Sequence, residues 1–191
     1  MKEVRILTVS GKAQRGKDTS AGFIYEELTK RGYKVLLTHY ADLLKWMCSN
    51  YFGWNGQKDE AGRTILQKVG TDVIRAQDPD FWVRWIVNLL KLFPNEWDYV
   101  IIPDCRFPNE IEVLKENFES VIHVRVVRPN FISPLTEEQQ KHISETALDE
   151  YSYDVLLKNT SLDELKAQIK DLCTLQTLET SEEEPNDCGA N

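Results

Sequence analysis

The stretch 11–19 constrains the fold of this chain more than any other part of the sequence. It carries a G-x-x-x-x-G-K pattern, and it lies between an apolar run at 4–10 and a helical pattern that begins near Lys17. Strand, glycine-rich loop and helix in this order are typical of a phosphate-binding loop. Glycines let successive backbone N–H groups converge on one anion, and the helix N-terminus adds positive partial charge. We therefore predict that a nucleoside triphosphate is bound by Gly11, Lys12, Ala13, Gln14, Arg15, Gly16, Lys17, Asp18 and Thr19.

The rest of the chain alternates between strand and helix patterns. Apolar strand-like runs occur near 4–10, 34–39, 99–102, 121–127 and 154–158. Helical periodicity occupies 17–31, 42–51, 59–69, 80–92, 108–117 and 162–172. Strands separated by helices favour an α/β fold in which a five-stranded parallel sheet carries helices on both faces. The aromatic residues Phe81, Trp82 and Trp85 recur at helical spacing, which predicts a place in the core.

Length and charge bound the organisation further. At 191 residues one domain is expected, and we assign it to 1–175. Residues 177–191 carry five acidic residues and no basic one, out of a net charge of −8, so we predict a disordered acidic tail over 176–191. The sequence has no apolar run of about 18 residues and no signal-peptide pattern, and its cysteines lack metal-ligand spacing. We expect a cytoplasmic protein that binds neither membranes nor nucleic acid.

Polar residues that follow the strands are the candidates for chemistry, because ligands of parallel sheets bind beyond the carboxyl ends of the strands. Asp104 follows the apolar run 99–102, a pattern typical of an acid that holds Mg²⁺ beside a nucleotide. Arg106 lies two residues further on, where it faces the same crevice or pairs with a surface acid. Arg128 and Asn159 follow the last two strands, and 39–42 follows the second.

A second group of candidates lies in the helical stretch after the second strand. Arg63 and Gln67 are four residues apart, so they share one helix face. An arginine beside an amide suits a monophosphate and the edge of a base, but without other support a solvated helix face is the preferred interpretation of the pair.

Taken in order, these motifs resemble the deoxynucleoside monophosphate kinases of phages and bacteria, within the nucleoside-monophosphate-kinase branch of P-loop proteins. The resemblance covers about residues 4–165 and rests on 10–19, 40–45, 52–54, 58–63, 70–75, 104–110 and 142–145. It implies a three-layer P-loop NTPase fold with an acceptor-binding helical insert at about 40–93. It also implies a lid-like segment at about 129–147.

The activity that this resemblance implies is phosphoryl transfer from ATP, with Mg²⁺, to a nucleoside monophosphate. Lys17, Asp104, Arg106 and Arg128 become the catalytic candidates, with Arg128 replacing the arginine that the segment 129–147 lacks. The resemblance implies that Mg²⁺ meets Thr19, Asp18 or Asp104. Asn159 is assigned to the ATP site because it follows the last strand. The implied acceptor site comprises Asp42, Lys45, Arg63, Gln67, Arg75 and Arg106.

Two alternatives stay open at this point. One is a kinase of the same architecture with another small acceptor, such as dephospho-coenzyme A or phosphomevalonate. The other is a nucleotide-binding regulator without catalytic turnover. The sequence identifies neither base nor sugar, and it is compatible with a monomer or a homodimer.

Overall fold

A single parallel sheet organises the protein. The computed structural model describes residues 3–57 and 59–181, and within them the sheet has five strands in the order β2-β3-β1-β4-β5. The strands are β1 (Arg5–Ser10), β2 (Val35–Leu37), β3 (Tyr99–Ile102), β4 (Val121–Val127) and β5 (Val155–Lys158). In the central register Leu7 of β1 pairs with Ile101 of β3 and with Ile122 of β4. The predicted parallel sheet is therefore confirmed, with β2 shorter than the expected 34–39.

Helices cover both faces of this sheet. They are α1 (Lys17–Lys30), α2 (Ala41–Tyr51), α3 (Glu60–Gln67), α4 (Phe81–Leu92), α5 (Pro108–Asn117), α6 (Glu137–Lys141), α7 (Ile143–Thr146) and α8 (Leu162–Ser181). In the described part of the chain, no helix is both long enough and apolar enough to cross a membrane.

Alternation along β1 divides the core into two layers. Ile6 packs on one face with Trp82 and Ile86 of α4 and with residues of α5. Leu7 packs on the other face with Ile24 of α1 and with residues of α8. Successive strand residues point to opposite faces, so one strand contributes to both clusters. The predicted three-layer fold is confirmed.

Two features of the helices were not expected. A π-helix, Lys68–Arg75, continues α3, and a Cβ at its Gly70 would lie 2.6 Å from the Leu44 side chain of α2. Trp82 is buried as predicted, but Trp85 is 42% exposed, so its predicted place in the core is wrong. Trp85 follows Trp82 by three residues, and this spacing places it at the outer edge of the apolar stripe on α4.

The C-terminal helix extends past the boundary that the sequence suggested. α8 ends at Ser181, whereas its pattern ended near 172 and the disordered tail was predicted from 176. Gln176 is buried, and its carbonyl oxygen accepts hydrogen bonds from the Arg5 guanidinium and the Tyr99 hydroxyl. The first part of the predicted tail is therefore helical, and 182–191 lie outside the described residues.

Candidate active site

The phosphate loop requires glycine at positions 11 and 16 because of the backbone conformation and the lack of space there. Gly11 and Gly16 have φ values of 143° and 101°, a region that L side chains rarely adopt. A Cβ on Gly11 would lie 2.4 Å from the carbonyl oxygen of Val126, and one on Gly16 would lie 2.4 Å from Nδ2 of Asn159. The ends of β4 and β5 therefore press directly against the loop.

Lys17 is the central cation of the loop. Its Nζ donates hydrogen bonds to the carbonyl oxygens of Gly11, at 2.6 Å, and Lys12, at 3.1 Å. Burial lowers the pKa of Lys17, and the positive charge of Arg106 lowers it further. The negative charges of Glu145, Asp18 and Asp104 raise the pKa of Lys17 and so oppose this shift. Arg106 lines a small crevice together with Gly11 and Lys12, whose carbonyl oxygens bind Lys17.

Asp104 follows β3 and connects it to the helical insert. Its Oδ1 accepts the Tyr40 N–H at 2.9 Å, and its Oδ2 accepts the Ala41 N–H at 3.1 Å. The carboxylate thus satisfies two N–H groups at the start of α2, whose own cap residue supplies no side-chain acceptor. Burial raises the pKa of Asp104, and the two N–H groups oppose this rise.

Glu110 organises the loop that carries Arg106. Its buried carboxylate accepts the Arg106 N–H at 2.7 Å and the Phe107 N–H at 3.1 Å through Oε2. Its Oε1 accepts from Nη2 of Arg75 at 2.6 Å, and that guanidinium also lies over the Phe107 ring. Burial raises the pKa of Glu110, although these donors favour its charged form. One carboxylate therefore binds both the Arg75 side chain and the Arg106 backbone.

The segment after β4 returns to the phosphate loop through two acids. Glu145 accepts the Ala13 N–H at 2.7 Å through Oε2 and pairs with Nη1 of Arg106 at 2.9 Å through Oε1. Asp149 pairs with Nζ of Lys12 at 2.9 Å. Glu145 of the lid-like segment and Asp149 just beyond it therefore contact two consecutive residues of the loop.

A cleft of about 570 Å³ opens on the other side of the loop, between α1 and the end of β5. Arg15 and Arg128 both lie over the Phe131 ring, with guanidinium carbons 5.2 and 4.7 Å from its centroid. Asn159 donates to the carbonyl oxygen of Arg15 at 3.0 Å. The lining residues are Gln14, Gly16, Lys17, Asp18, Thr19, Arg128, Asn159, Thr160, Ser161 and Leu162.

A row of charged groups leads from the loop to the helical insert. The His39 ring lies 3.8 Å from Oδ1 of Asp18 and 3.3 Å from Oδ2 of Asp42. Asp42 also accepts from Nζ of Lys45 at 3.0 Å. Burial alone would raise the pKa of Asp42, but the hydrogen bonds from Lys45 and the His39 backbone lower it overall.

Comparison with known proteins identifies the family. A sequence model described as deoxynucleotide monophosphate kinase matches residues 52–169, which is more than half of the chain. This chain belongs to the deoxynucleotide monophosphate kinase family. It is 33% identical over 119 residues to the deoxynucleotide monophosphate kinase of Enterobacteria phage T4, covering 61% of this chain and 46% of that protein. The corresponding protein of Escherichia phage RB69 is 32% identical over 111 residues, covering 56% and 43%. The chain thus spans less than half the length of these two phage kinases.

Solved structures support the same fold at low sequence identity. The APS kinase CysC of Mycobacterium tuberculosis, as its Cys556Ala mutant, has a TM-score of 0.54 at 10% identity, covering 93% of this chain and 99% of that one. A sugar kinase from Janibacter sp. has a TM-score of 0.55 at 15% identity, covering 92% and 95%. These likenesses concern the P-loop kinase fold alone.

The structure brings most of the predicted kinase residues together at one edge of the sheet. The exceptions are Arg63 and Gln67, which lie on the exposed side of α3, so their part in a deoxynucleotide monophosphate kinase site stays a prediction. Sequence reasoning missed three features: Glu110, Glu145 and the cleft residues 160–162. The strand-end rule that identified Asn159 also covers 160–162. The two glutamates end the motifs 104–110 and 142–145, but nothing local in these motifs indicates their roles.

Proposed function

We propose that this chain transfers a phosphoryl group from ATP to a deoxynucleoside monophosphate and so forms the diphosphate. The observation that carries the proposal is the crevice in which Arg106 lies beside Gly11 and Lys12 of the phosphate loop, in a chain that belongs to this kinase family. A phosphate loop with an arginine beside it, from the loop after β3, suits a reaction between two phosphate groups. The ribonucleotide acceptors differ only at the sugar and are included in the test.

Alignment and charge neutralisation account for catalysis in this proposal. The acceptor phosphate is already a nucleophile, so little proton removal is needed. Lys17 and the loop N–H groups hold the transferring phosphate, and Arg106 holds the acceptor phosphate against it. Loss of one such cation is expected to raise the barrier by about 3–4 kcal/mol. Arg75, oriented by Glu110, supports the acceptor side.

The residues at the start of α1 fit a Mg²⁺ ion that is carried mainly by the nucleotide. No cluster of three or more metal-binding side chains occurs in the described ranges, and nucleotide-bound Mg²⁺ takes most of its ligands from phosphate and water. Asp18 offers an exposed carboxylate beside the loop, and Thr19 offers a hydroxyl. Asp104 keeps free lone pairs beside its two N–H bonds. When bound, Mg²⁺ neutralises phosphate charge.

In this proposal two arginines outside the segment 129–147 take the role of the arginine that this segment lacks. The segment 129–147 contains no arginine, but Arg15 and Arg128 share the Phe131 ring at its hinge. Two guanidinium groups at this place are suited to the phosphates of ATP in the adjoining cleft. Closure of the segment over the loop excludes water, which would otherwise compete as the acceptor.

The acceptor nucleotide is assigned to the insert side of Arg106. Asp42 and Lys45 lie at the root of α2, next to the His39 contact with Asp18. Arg63 and Gln67 extend this surface along α3 if closure brings that helix inward. Arginine suits the position because its planar fork grips phosphate with two parallel bonds.

An acceptor screen tests the proposal. The full chain is mixed with Mg·ATP labelled at the γ-phosphate and with each deoxynucleoside and ribonucleoside monophosphate, and labelled diphosphate is measured. Dephospho-coenzyme A and phosphomevalonate serve as further arms, and Lys17→Ala serves as the control for contaminating kinase. Labelled nucleoside diphosphate formed only by the wild type supports the proposal.

Each other result contradicts it. Transfer to dephospho-coenzyme A or phosphomevalonate alone would assign a different acceptor to the same fold. ATP binding without transfer to any acceptor would favour the regulatory alternative.

A further inference from the structure

Glu145 makes a contact that the proposed catalytic scheme does not use. One carboxylate oxygen accepts the Ala13 N–H of the phosphate loop at 2.7 Å, and the other pairs with Nη1 of Arg106 at 2.9 Å. The side chain is 9% exposed. Backbone N–H groups of the loop and arginine side chains both bind phosphate. Here the Glu145 carboxylate binds the Ala13 N–H and the Arg106 guanidinium instead.

The charge of Glu145 also offsets a repulsion within the site. Arg106 lowers the pKa of the buried Lys17, whereas the Glu145 carboxylate raises it. Two cations lie close together in a partly dehydrated site, and this is costly unless an anion lies near both. The Ser144 carbonyl adds a weaker contact to the same Nη1 at 3.5 Å.

Glu145 is not needed for its own helix. The cap of α7 is His142, whose ring accepts the Ser144 N–H at 3.3 Å. The Glu145 side chain instead reaches across 132 residues of sequence to the loop. A second acid, Asp149, already joins this segment to the loop through Lys12. The contact specific to Glu145 is therefore its hold on Arg106.

We propose that Glu145 is a positioning residue that fixes the Arg106 guanidinium against the phosphate loop and so aligns the acceptor phosphate with the transferring one. A guanidinium has five N–H donors, so Arg106 keeps donors for phosphate while Nη1 is held. The proposal rests on the proposed kinase function. It makes Glu145 a part of the geometry between the two substrates rather than a ligand of either.

Two variants of Glu145 and one matched control test this role in the full chain. Glu145→Gln removes the charge and places an N–H₂ group against one of the two donors. Glu145→Asp keeps the charge but is one methylene too short to reach both partners. Glu137→Gln is the control, because it removes an equal charge from the same segment at a side chain that is 92% exposed.

The expected result separates alignment from binding. Glu145→Gln lowers kcat by roughly 10- to 100-fold, since a misplacement of about 1 Å has effects of this size. Its ATP affinity, titrated by calorimetry without acceptor, stays within about twofold of the wild type. Its thermal midpoint stays above the assay temperature, so the protein is folded during the measurement. Glu145→Asp lowers kcat as well. Glu137→Gln matches the wild type in every measurement.

The division of the effect between kcat and ATP affinity gives a readout that a purely structural role would not produce. A loss of structure lowers kcat, ATP affinity and the thermal midpoint together, whereas misplacement of the Arg106 guanidinium lowers kcat alone.

Two outcomes would overturn the role of Glu145 without touching the kinase function. These are a wild-type kcat in Glu145→Gln, or a parallel loss of ATP affinity and folded protein in both variants. Absence of transfer to any monophosphate by the wild type and Glu137→Gln would instead overturn the kinase function, and this proposal with it.

Discussion

Replacement of Glu110 by glutamine tests whether one buried carboxylate holds the arginine loop together. An amide offers one oxygen, whereas the carboxylate uses both, with one on Arg75 at 2.6 Å and the other on the backbone of Arg106 and Phe107. If the new N–H₂ group faces Arg75, a guanidinium loses its buried partner, at about 3–5 kcal/mol. If it faces the backbone, two N–H groups lose an acceptor, at about 1–3 kcal/mol each.

Removal of the buried charge of Glu110 reduces the expected loss of unfolding free energy. Burial raises the pKa of Glu110, and the neutral glutamine avoids the associated cost. We therefore expect the low end of the range, about 3 kcal/mol of unfolding free energy. For a chain of this size, that corresponds to a fall of about 6–12 °C in the thermal midpoint.

Urea denaturation of Glu110→Gln and the wild type measures this free energy, with the slope m checked for constancy. Glu137→Gln is again the matched control, since its exposed pair with Lys141 is expected to contribute less than about 0.5 kcal/mol. A double-mutant cycle with Arg75→Met separates the ion pair from the two backbone bonds. A loss below about 1 kcal/mol in Glu110→Gln would refute the reasoning, because it would mean that solvent or another group replaces the carboxylate without cost.

Four further predictions follow from the same geometry. Lys17→Ala is expected to abolish transfer while the thermal midpoint changes little, measured by diphosphate formation and calorimetry; near-wild-type turnover would contradict the kinase function. Arg63→Lys is expected to weaken monophosphate affinity about tenfold, or roughly 1.4 kcal/mol, with ATP affinity unchanged, and titration that gives the reverse would mean the two sites are exchanged. Burial lowers the pKa of His123 below its value in the unfolded chain. The neutral ring therefore stabilises the fold above about pH 6.5, and this contribution is lost as the pH falls. His123→Gln should flatten the dependence of unfolding free energy on pH between about 7.5 and 5.5, and an unchanged slope would exclude His123 as the cause. Removal of 182–191 should leave turnover and thermal midpoint close to wild type, whereas removal from Gln176 should lower the midpoint, because its carbonyl oxygen accepts from Tyr99.

The sequence predicted the sheet and the phosphate loop because both depend on local patterns. Apolar runs define the strands, and a glycine-rich loop between strand and helix has one common use. The strand-end rule then located Asp104, Arg106, Arg128 and Asn159 correctly at one edge of the sheet. The end of α8 was misplaced because Gln176 is buried by long-range contacts with Arg5 and Tyr99 that composition does not encode.

The parts of the site that were missed are the acids that orient its cations. Glu110 follows Arg106 by four residues and looks like a surface partner for it. In the structure its acceptors serve the Arg106 backbone and the Arg75 side chain, 35 residues away. Glu145 was part of a recognised motif, but its contact with Ala13 exists only after β1 and β4 pair. Such roles depend on register and packing between distant segments, which local sequence patterns do not reveal.

The hydrogen bonds from Tyr40 and Ala41 to Asp104 have a consequence for grafting helical inserts between related kinases. Both donors are main-chain N–H groups, so any residue except proline supplies them from the incoming segment. The requirement for a correct junction therefore lies in the recipient, at Asp104, and not in the transplanted sequence. An insert of foreign sequence can keep the angle at which its first helix leaves the sheet, whereas a recipient without this carboxylate loses that angle even for the native insert.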